Sequence, residues 1–70
     1  MYIGDNFINP LAVVDWYFET SFLGNRYIHI NYVNGHFIEI YTDRWATGIH
    51  LDEEEIDRKL KEAILNARKW

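Results

Sequence analysis

The sequence predicts a small α+β fold, in which one C-terminal helix packs on one face of an antiparallel meander of three to four strands. Residues 27–41, YIHINYVNGHFIEIY, alternate apolar and polar side chains on both sides of Asn34-Gly35, a pattern typical of a β-hairpin. Residues 12–19, AVVDWYFE, alternate in the same way and predict a strand before the hairpin. Apolar residues at helical spacing follow Asp52, so a helix is expected over about 52–69.

The register of the hairpin depends on the length of its loop. A two-residue loop at Asn34-Gly35 would divide the four isoleucines of the hairpin between both faces of the sheet. A three-residue loop, Val33-Asn34-Gly35, places all four on one face, so burial favours it, and glycine suits the left-handed last position of such a loop. The predicted cross-strand pairs are then Tyr27 with Tyr41, Ile28 with Ile40, His29 with Glu39, Ile30 with Ile38, and Asn31 with Phe37.

The remaining segments follow from simpler patterns. In the strand over 12–19, the predicted core side consists of Ala12, Val14, Trp16 and Phe18. Residues 1–8 predict one or two short strands, Asn9-Pro10 a turn or one helical turn, and residues 42–51 an irregular stretch with room for a short edge strand. The helix has an Asp52/Glu55 capping-box spacing, and its expected buried stripe is Ile56, Leu60, Ala63, Ile64 and Ala67. Its expected i,i+4 ion pairs are Glu54–Arg58, Glu55–Lys59 and Asp57–Lys61.

Size and charge limit the classes of function. The 70 residues predict a single domain over 1–70, and the absence of cysteine excludes disulfides and thiolate metal sites. The net charge of −4 without a basic stripe disfavours nucleic-acid binding. No transmembrane run or leader is recognisable in the sequence, so a cytoplasmic protein that does not contact membranes is expected.

One helix can cover only one face of the sheet, so the opposite face is the main candidate site. Its predicted members are Val13, Asp15, Tyr17, Glu19, Tyr27, His29, Asn31, Phe37, Glu39 and Tyr41. A half-solvated sheet face with strand-favouring tyrosines would explain this pattern, and so would an interface. The candidate interface residues are Tyr17, Tyr27, His29, Phe37, Glu39 and Tyr41, through which we expect a homo-oligomer with two-fold symmetry.

The loop containing Arg44, Trp45 and His50 is the second candidate site. Its tryptophan serves either as a lid over one end of the core or as a binding anchor, because Trp and Arg dominate interface hot spots. Charge and ring stacking would also allow these three side chains to hold an anionic or planar ligand.

Enzymatic and metal sites find little support. His29 and His36 fall on opposite faces of the hairpin in either register, and no zinc spacing or catalytic motif occurs. Asp15, Glu19 and Glu39 are interpreted as solubilising charges, because one sheet and one helix offer no deep cleft. We therefore expect no enzymatic activity, metal or cofactor.

The segment FINPLAVV…IHINYVNGHFIEIY…EEEIDRKL resembles small flagellar regulators of the FlbD type, which share an NG hairpin and a closing helix. The long connection over 19–27 and the Trp45 loop depart from that family. The short, acidic, aromatic-rich chain is also similar to small phage-encoded inhibitors, which implies a regulator or inhibitor by class analogy. The expected function is a non-enzymatic interaction module that self-associates and binds or inhibits another protein. The alternative is an oligomeric binder of a nucleotide-like anion, with sites between protomers.

Overall fold

The computed structural model describes residues 1–43 and 51–68. Two short strands, β1 (Tyr2–Ile3) and β2 (Asn6–Phe7), form an antiparallel pair and lead into a 3-10 helix over Pro10–Ala12. The main sheet is antiparallel with the order β3 (Val13–Thr20), β4 (Arg26–Tyr32) and β5 (Phe37–Tyr41), and helix α1 (Glu53–Ala67) follows it. The predicted α+β fold with one C-terminal helix is confirmed for the described residues.

The hairpin has the predicted register. Tyr27 pairs with Tyr41, His29 with Glu39, and Asn31 with Phe37, as expected for a three-residue loop. The Tyr32 N–H donates to His36 O at 2.8 Å, and the Gly35 N–H donates to Tyr32 O at 3.1 Å. Gly35 has φ of +84°, a left-handed conformation that only glycine adopts without strain.

The start of β3 differs from the prediction. Ala12 ends the 3-10 helix, and the pairing of β3 with β4 shifts between Val13 and Asp15. The additional residue of this β-bulge reverses the alternation of side chains. Val13, predicted on the open face, is therefore fully buried, whereas Val14, predicted in the core, is 57% exposed. Beyond the bulge, Trp16 and Phe18 pack against the core as predicted.

The core lies between one face of the sheet and α1. Ile28, Ile30 and Ile40 of the hairpin are buried with Ile56 and Leu60 of the helix in one apolar cluster. The four-isoleucine face selected by the register is thus the face that α1 covers. Ile3, Ile8 and Val13 complete the buried set, and Ile38 and Ile64 pack against it in part.

The helix begins at the predicted cap. The Asp52 carboxylate accepts a hydrogen bond from the Glu54 N–H at 3.0 Å, and the Glu55–Lys59 and Asp57–Lys61 ion pairs form. Arg58 pairs with Glu62 at 3.1 Å, not with Glu54 as predicted. The helix ends at Ala67, two residues before the predicted end. No helix within residues 1–43 and 51–68 has the length and apolar character needed to span a bilayer.

Polar bonds fasten the helix to the sheet at its first turn. The Arg26 guanidinium donates to both carboxylate oxygens of Glu53, at 3.0 Å from Nε and 2.8 Å from Nη2. This two-pronged geometry fixes orientation as well as distance, so the start of α1 is aligned with the start of β4. The Arg26 backbone N–H donates to Asp43 Oδ2 at 2.6 Å, which draws the segment after β5 to the same corner.

Candidate functional site

The sheet face opposite α1 carries nine alternating side chains, which we call the ring face. Its members are Asp15, Tyr17, Glu19, Tyr27, His29, Asn31, Phe37, Glu39 and Tyr41. The register places all of the predicted face except Val13 together on this surface. All six residues predicted as interface members belong to it.

Three rings from three strands form a continuous stack across the ring face. The rings of Tyr17 and His29 lie 4.8 Å apart at an interplanar angle of 12°, and those of His29 and Phe37 lie 4.7 Å apart at 19°. The imidazole of β4 is therefore enclosed between one ring from β3 and one from β5. A second aromatic contact joins Tyr27 and Tyr41 edge to face at 5.9 Å.

A chain of hydrogen bonds runs through the same imidazole. Glu39 Oε2 lies 2.8 Å from His29 Nδ1, and Asn31 Oδ1 lies 2.9 Å from His29 Nε2. The Asn31 amide nitrogen donates to Asp15 Oδ1 at 2.8 Å. The Asp15 carboxylate can only accept, so the amide nitrogen must face it and the amide oxygen must face His29. Both ring nitrogens of His29 then face acceptors, and only the imidazolium, with two N–H groups, satisfies both.

The surroundings of His29 favour its charged form. The hydrogen bond that His29 donates to Glu39 raises the pKa of His29 above its ordinary value, and the bond to Asn31 and the negative charges of Glu39 and Asp15 act in the same direction. Desolvation opposes this shift but does not reverse it. When His29 is protonated, the faces of its ring rest on Tyr17 and Phe37, an arrangement that then also gains cation–π attraction.

The outer rings of the ring face remain open. Tyr17 is 45% exposed and Phe37 60% exposed, whereas the side chain of His29 between them is only 12% exposed. Glu19 accepts a hydrogen bond from the Tyr27 hydroxyl at 3.1 Å, and desolvation together with this bond raises the pKa of Tyr27. Each carboxylate of the face already accepts a hydrogen bond from another residue of the face, which offsets part of the cost of covering it.

The other predicted sites have different outcomes. Arg44, Trp45 and His50 lie outside the described residues, as does most of the possible edge strand over 42–51, so the loop-anchor prediction stays a prediction. His36 follows the hairpin loop and is exposed. Among residues 1–43 and 51–68, no three potential metal-ligating side chains gather in one place.

Sequence reasoning missed the role of Asn31. Its position on the ring face follows from the hairpin alone, but its partner Asp15 lies on β3, 16 residues earlier in the chain. The loop between β3 and β4 contains Gly24-Asn25, but the sequence does not fix the length of this loop, so the opposition of Asp15 and Asn31 could not be read from the sequence. The two-residue spacing of His29 and Asn31, which puts both on one side of β4, was the available signal.

Comparison of the chain with protein-family models, curated proteins and solved structures found no match.

Proposed function

We propose that this chain is a small non-enzymatic interaction module that self-associates and binds another protein, as a regulator or inhibitor. The observation that supports this proposal best is the ring stack of Tyr17, His29 and Phe37, which leaves two outer rings open on the face opposite the helix. Aromatic side chains are enriched in the cores of protein interfaces. The hydrogen bond that each carboxylate of the face accepts offsets part of the cost of covering it.

The charge of the ring face selects its partner. The ionised carboxylates of Asp15, Glu19 and Glu39 leave a charge of about −2 on the face when His29 is protonated and about −3 when it is neutral. Two copies packed face to face would bring these like charges together, whereas a basic or neutral protein would not be repelled. We therefore assign the ring face to another protein, although the sequence led us to expect self-association there.

A crosslinking experiment tests this assignment. We would place a photoreactive phenylalanine analogue at Phe37 or, as the matched control, at Phe22, a fully exposed ring in the loop after β3. Illumination in extract of the native host should link a protein to position 37 and not to position 22. The purified partner should then bind wild type and Phe22→Ser with equal affinity, and bind Phe37→Ser and Tyr17→Ser at least about tenfold more weakly, the loss expected when an anchor worth about 1.4 kcal/mol is removed.

Equal crosslinks at both positions, or equal affinity for all four proteins, would overturn the assignment. Salt provides a second criterion: affinity for a basic partner should fall as ionic strength rises, because the carboxylates of the face are screened.

A further inference from the structure

We infer that two copies of this chain pair through their β3 strands about a two-fold axis, which joins two three-stranded sheets into one of six strands. The inference rests on the self-association half of the proposed function and identifies the surface that would carry it. It uses the outer edge of β3 and the side of α1 next to that edge, neither of which belongs to the ring face. We call this side the helix flank; its charged residues are Glu54, Asp57, Lys61 and, directly after the helix, Arg68.

One side of the β3 backbone faces away from β4. Thr42 N–H donates to Arg26 O at 3.0 Å and Tyr32 N–H donates to His36 O at 2.8 Å, so these positions of β4 direct their backbone groups towards β5. In an antiparallel ladder such positions alternate, so the β4 residues between them bond β3. Their partners on β3 are Asp15, Tyr17 and Glu19. The N–H and C=O groups of Trp16 and Phe18 therefore point away from the sheet.

No strand within residues 1–43 and 51–68 pairs with this outer side, because β3 stands at the end of the order β3-β4-β5. An edge strand of eight residues with free backbone groups is a template for another strand. The bulge at Val14 limits pairing to the part of β3 that follows it.

A groove runs beside this edge, between β3 and α1. At one end it is lined by Phe18 with Glu54 and Asp57, and at the other by Val14 with Leu65 and Arg68. Trp16 and Lys61 line its middle. The side chains of Val14 and Leu65 are exposed there, and a second copy would cover them.

The charges along the helix flank reverse from one end to the other. The first half of α1 presents Glu54 and Asp57 to the groove, whereas the basic residues there are Lys61 in its second half and Arg68, which directly follows its last residue. In a two-fold arrangement the helices of the two copies run antiparallel, so the acidic half of each lies beside the basic half of the other. This self-complementary pattern favours a second copy as the occupant of the groove, because a two-fold interface uses the same patch twice.

Charge also selects the register. A two-fold axis at Tyr17 would place Asp15 opposite Glu19 of the second copy, and like charges in directly opposed positions are destabilising. An axis at Phe18 would bring together the acidic ends of both helix flanks. An axis at Trp16 places Asp15 opposite Tyr17 of the second copy, and sets Glu54 near Arg68 of the second copy. Trp16 is also level with the middle of the flank, since its indole bonds Asp57.

The pairing would enlarge the ring face to the size of an ordinary interface. Three strands about 4.8 Å apart and about 26 Å long present roughly 370 Å² on one face. Stable interfaces usually bury about 800 Å² on each partner. Six strands in one sheet present about twice the single-copy area, so one dimer would offer a continuous ring face of sufficient size.

Reversal of the flank charges tests the inference. Sedimentation of the full chain from low to high micromolar concentration should show a monomer–dimer equilibrium. Arg68→Glu and Glu54→Arg should each weaken the dimer about tenfold, because each sets like charges beside one another, and the double variant should recover most of the loss. The matched control is Lys59→Glu, a charge reversal on another side of the helix, which should leave the equilibrium unchanged.

Amide exchange gives a second measurement that reports on the backbone itself. The N–H group of Trp16, at the proposed axis, should exchange rapidly in dilute solution and become protected at concentrations where the dimer forms. Protection independent of concentration, or a dimer insensitive to both single reversals, would overturn the inference.

A dimer that Phe37→Ser abolishes while the flank variants retain it would overturn it in favour of face-to-face packing. A chain that is monomeric throughout would also overturn it, and the ring-face crosslinks would still decide the contact with another protein.

Discussion

The indole Nε1 of Trp16 donates a hydrogen bond of 2.8 Å to Oδ1 of Asp57, which joins β3 to α1 across 41 positions of the chain. Lys61 holds the second carboxylate oxygen of Asp57 at 2.8 Å. The hydrogen bond from Lys61, followed by that from Trp16, lowers the pKa of Asp57 below its ordinary value, against a smaller opposing effect of desolvation. The Asp57 carboxylate thus makes an ion pair along the surface of α1 and, at the same time, a hydrogen bond that joins α1 to β3.

Replacement of Trp16 by phenylalanine should destabilise the chain by about 1 kcal/mol, because a ring is retained but its hydrogen bond to a carboxylate is lost. The lowered pKa of Asp57 means that its contribution to stability is present above the ordinary pKa of 3.8 and is lost as the pH falls through the lowered value. Trp16→Phe should therefore reduce the acid-induced loss of stability. Urea unfolding in dilute solution at neutral and acid pH measures both effects. Asp57→Asn is the control, since its amide oxygen can still accept from Trp16. A Trp16→Phe variant as stable as wild type would contradict this prediction.

Protonation of His29 should stabilise the folded chain. Because its folded pKa is raised above the ordinary 6.5, this contribution is fully present below pH 6.5 and is lost as the pH rises through the raised value. The free energy of unfolding of the wild type should therefore fall as the pH rises from 6.5 through the raised pKa of His29. Over the same range that of His29→Gln should fall less. His36→Gln, at the exposed end of the hairpin loop, should follow wild type. NMR titration of the His29 ring measures its pKa directly, and a midpoint at or below 6.5 would contradict the hydrogen-bond assignment.

The hairpin loop depends on the left-handed conformation of Gly35. A Cβ added at this position would meet no atom within 4 Å, so the effect of Gly35→Ala comes from backbone strain alone. We expect a loss of about 1–2 kcal/mol in the free energy of unfolding for Gly35→Ala. Gly35→Asn should lose less, because asparagine tolerates positive φ better than alanine. Urea denaturation of the two variants distinguishes them, and equal losses would mean that conformational strain is not the cause.

Much of the ring face could be predicted from the hairpin itself. The four isoleucines require one buried face, and this requirement fixes the opposition of His29 to Glu39 and of Tyr27 to Tyr41. The bulge at the start of β3 could not be predicted, because regular alternation from Trp16 and Phe18 places Val14 rather than Val13 inside and nothing in AVVD marks an additional residue. Burial of Val13 in the completed core decides between them.

Sequence patterns alone predicted the main strands, the loop at Val33-Asn34-Gly35, the helix and the side of the sheet on which the rings stand. These features depend on the period of side chains along a single segment and on the backbone freedom of one glycine. The complete fold was needed to show that Asp15 meets Asn31, that the His29 ring lies between Tyr17 and Phe37 with both nitrogens hydrogen-bonded, and that β3 stands at the end of the order β3-β4-β5. Each of these depends on how separate segments are set against one another, and that placement follows from the burial of the whole core.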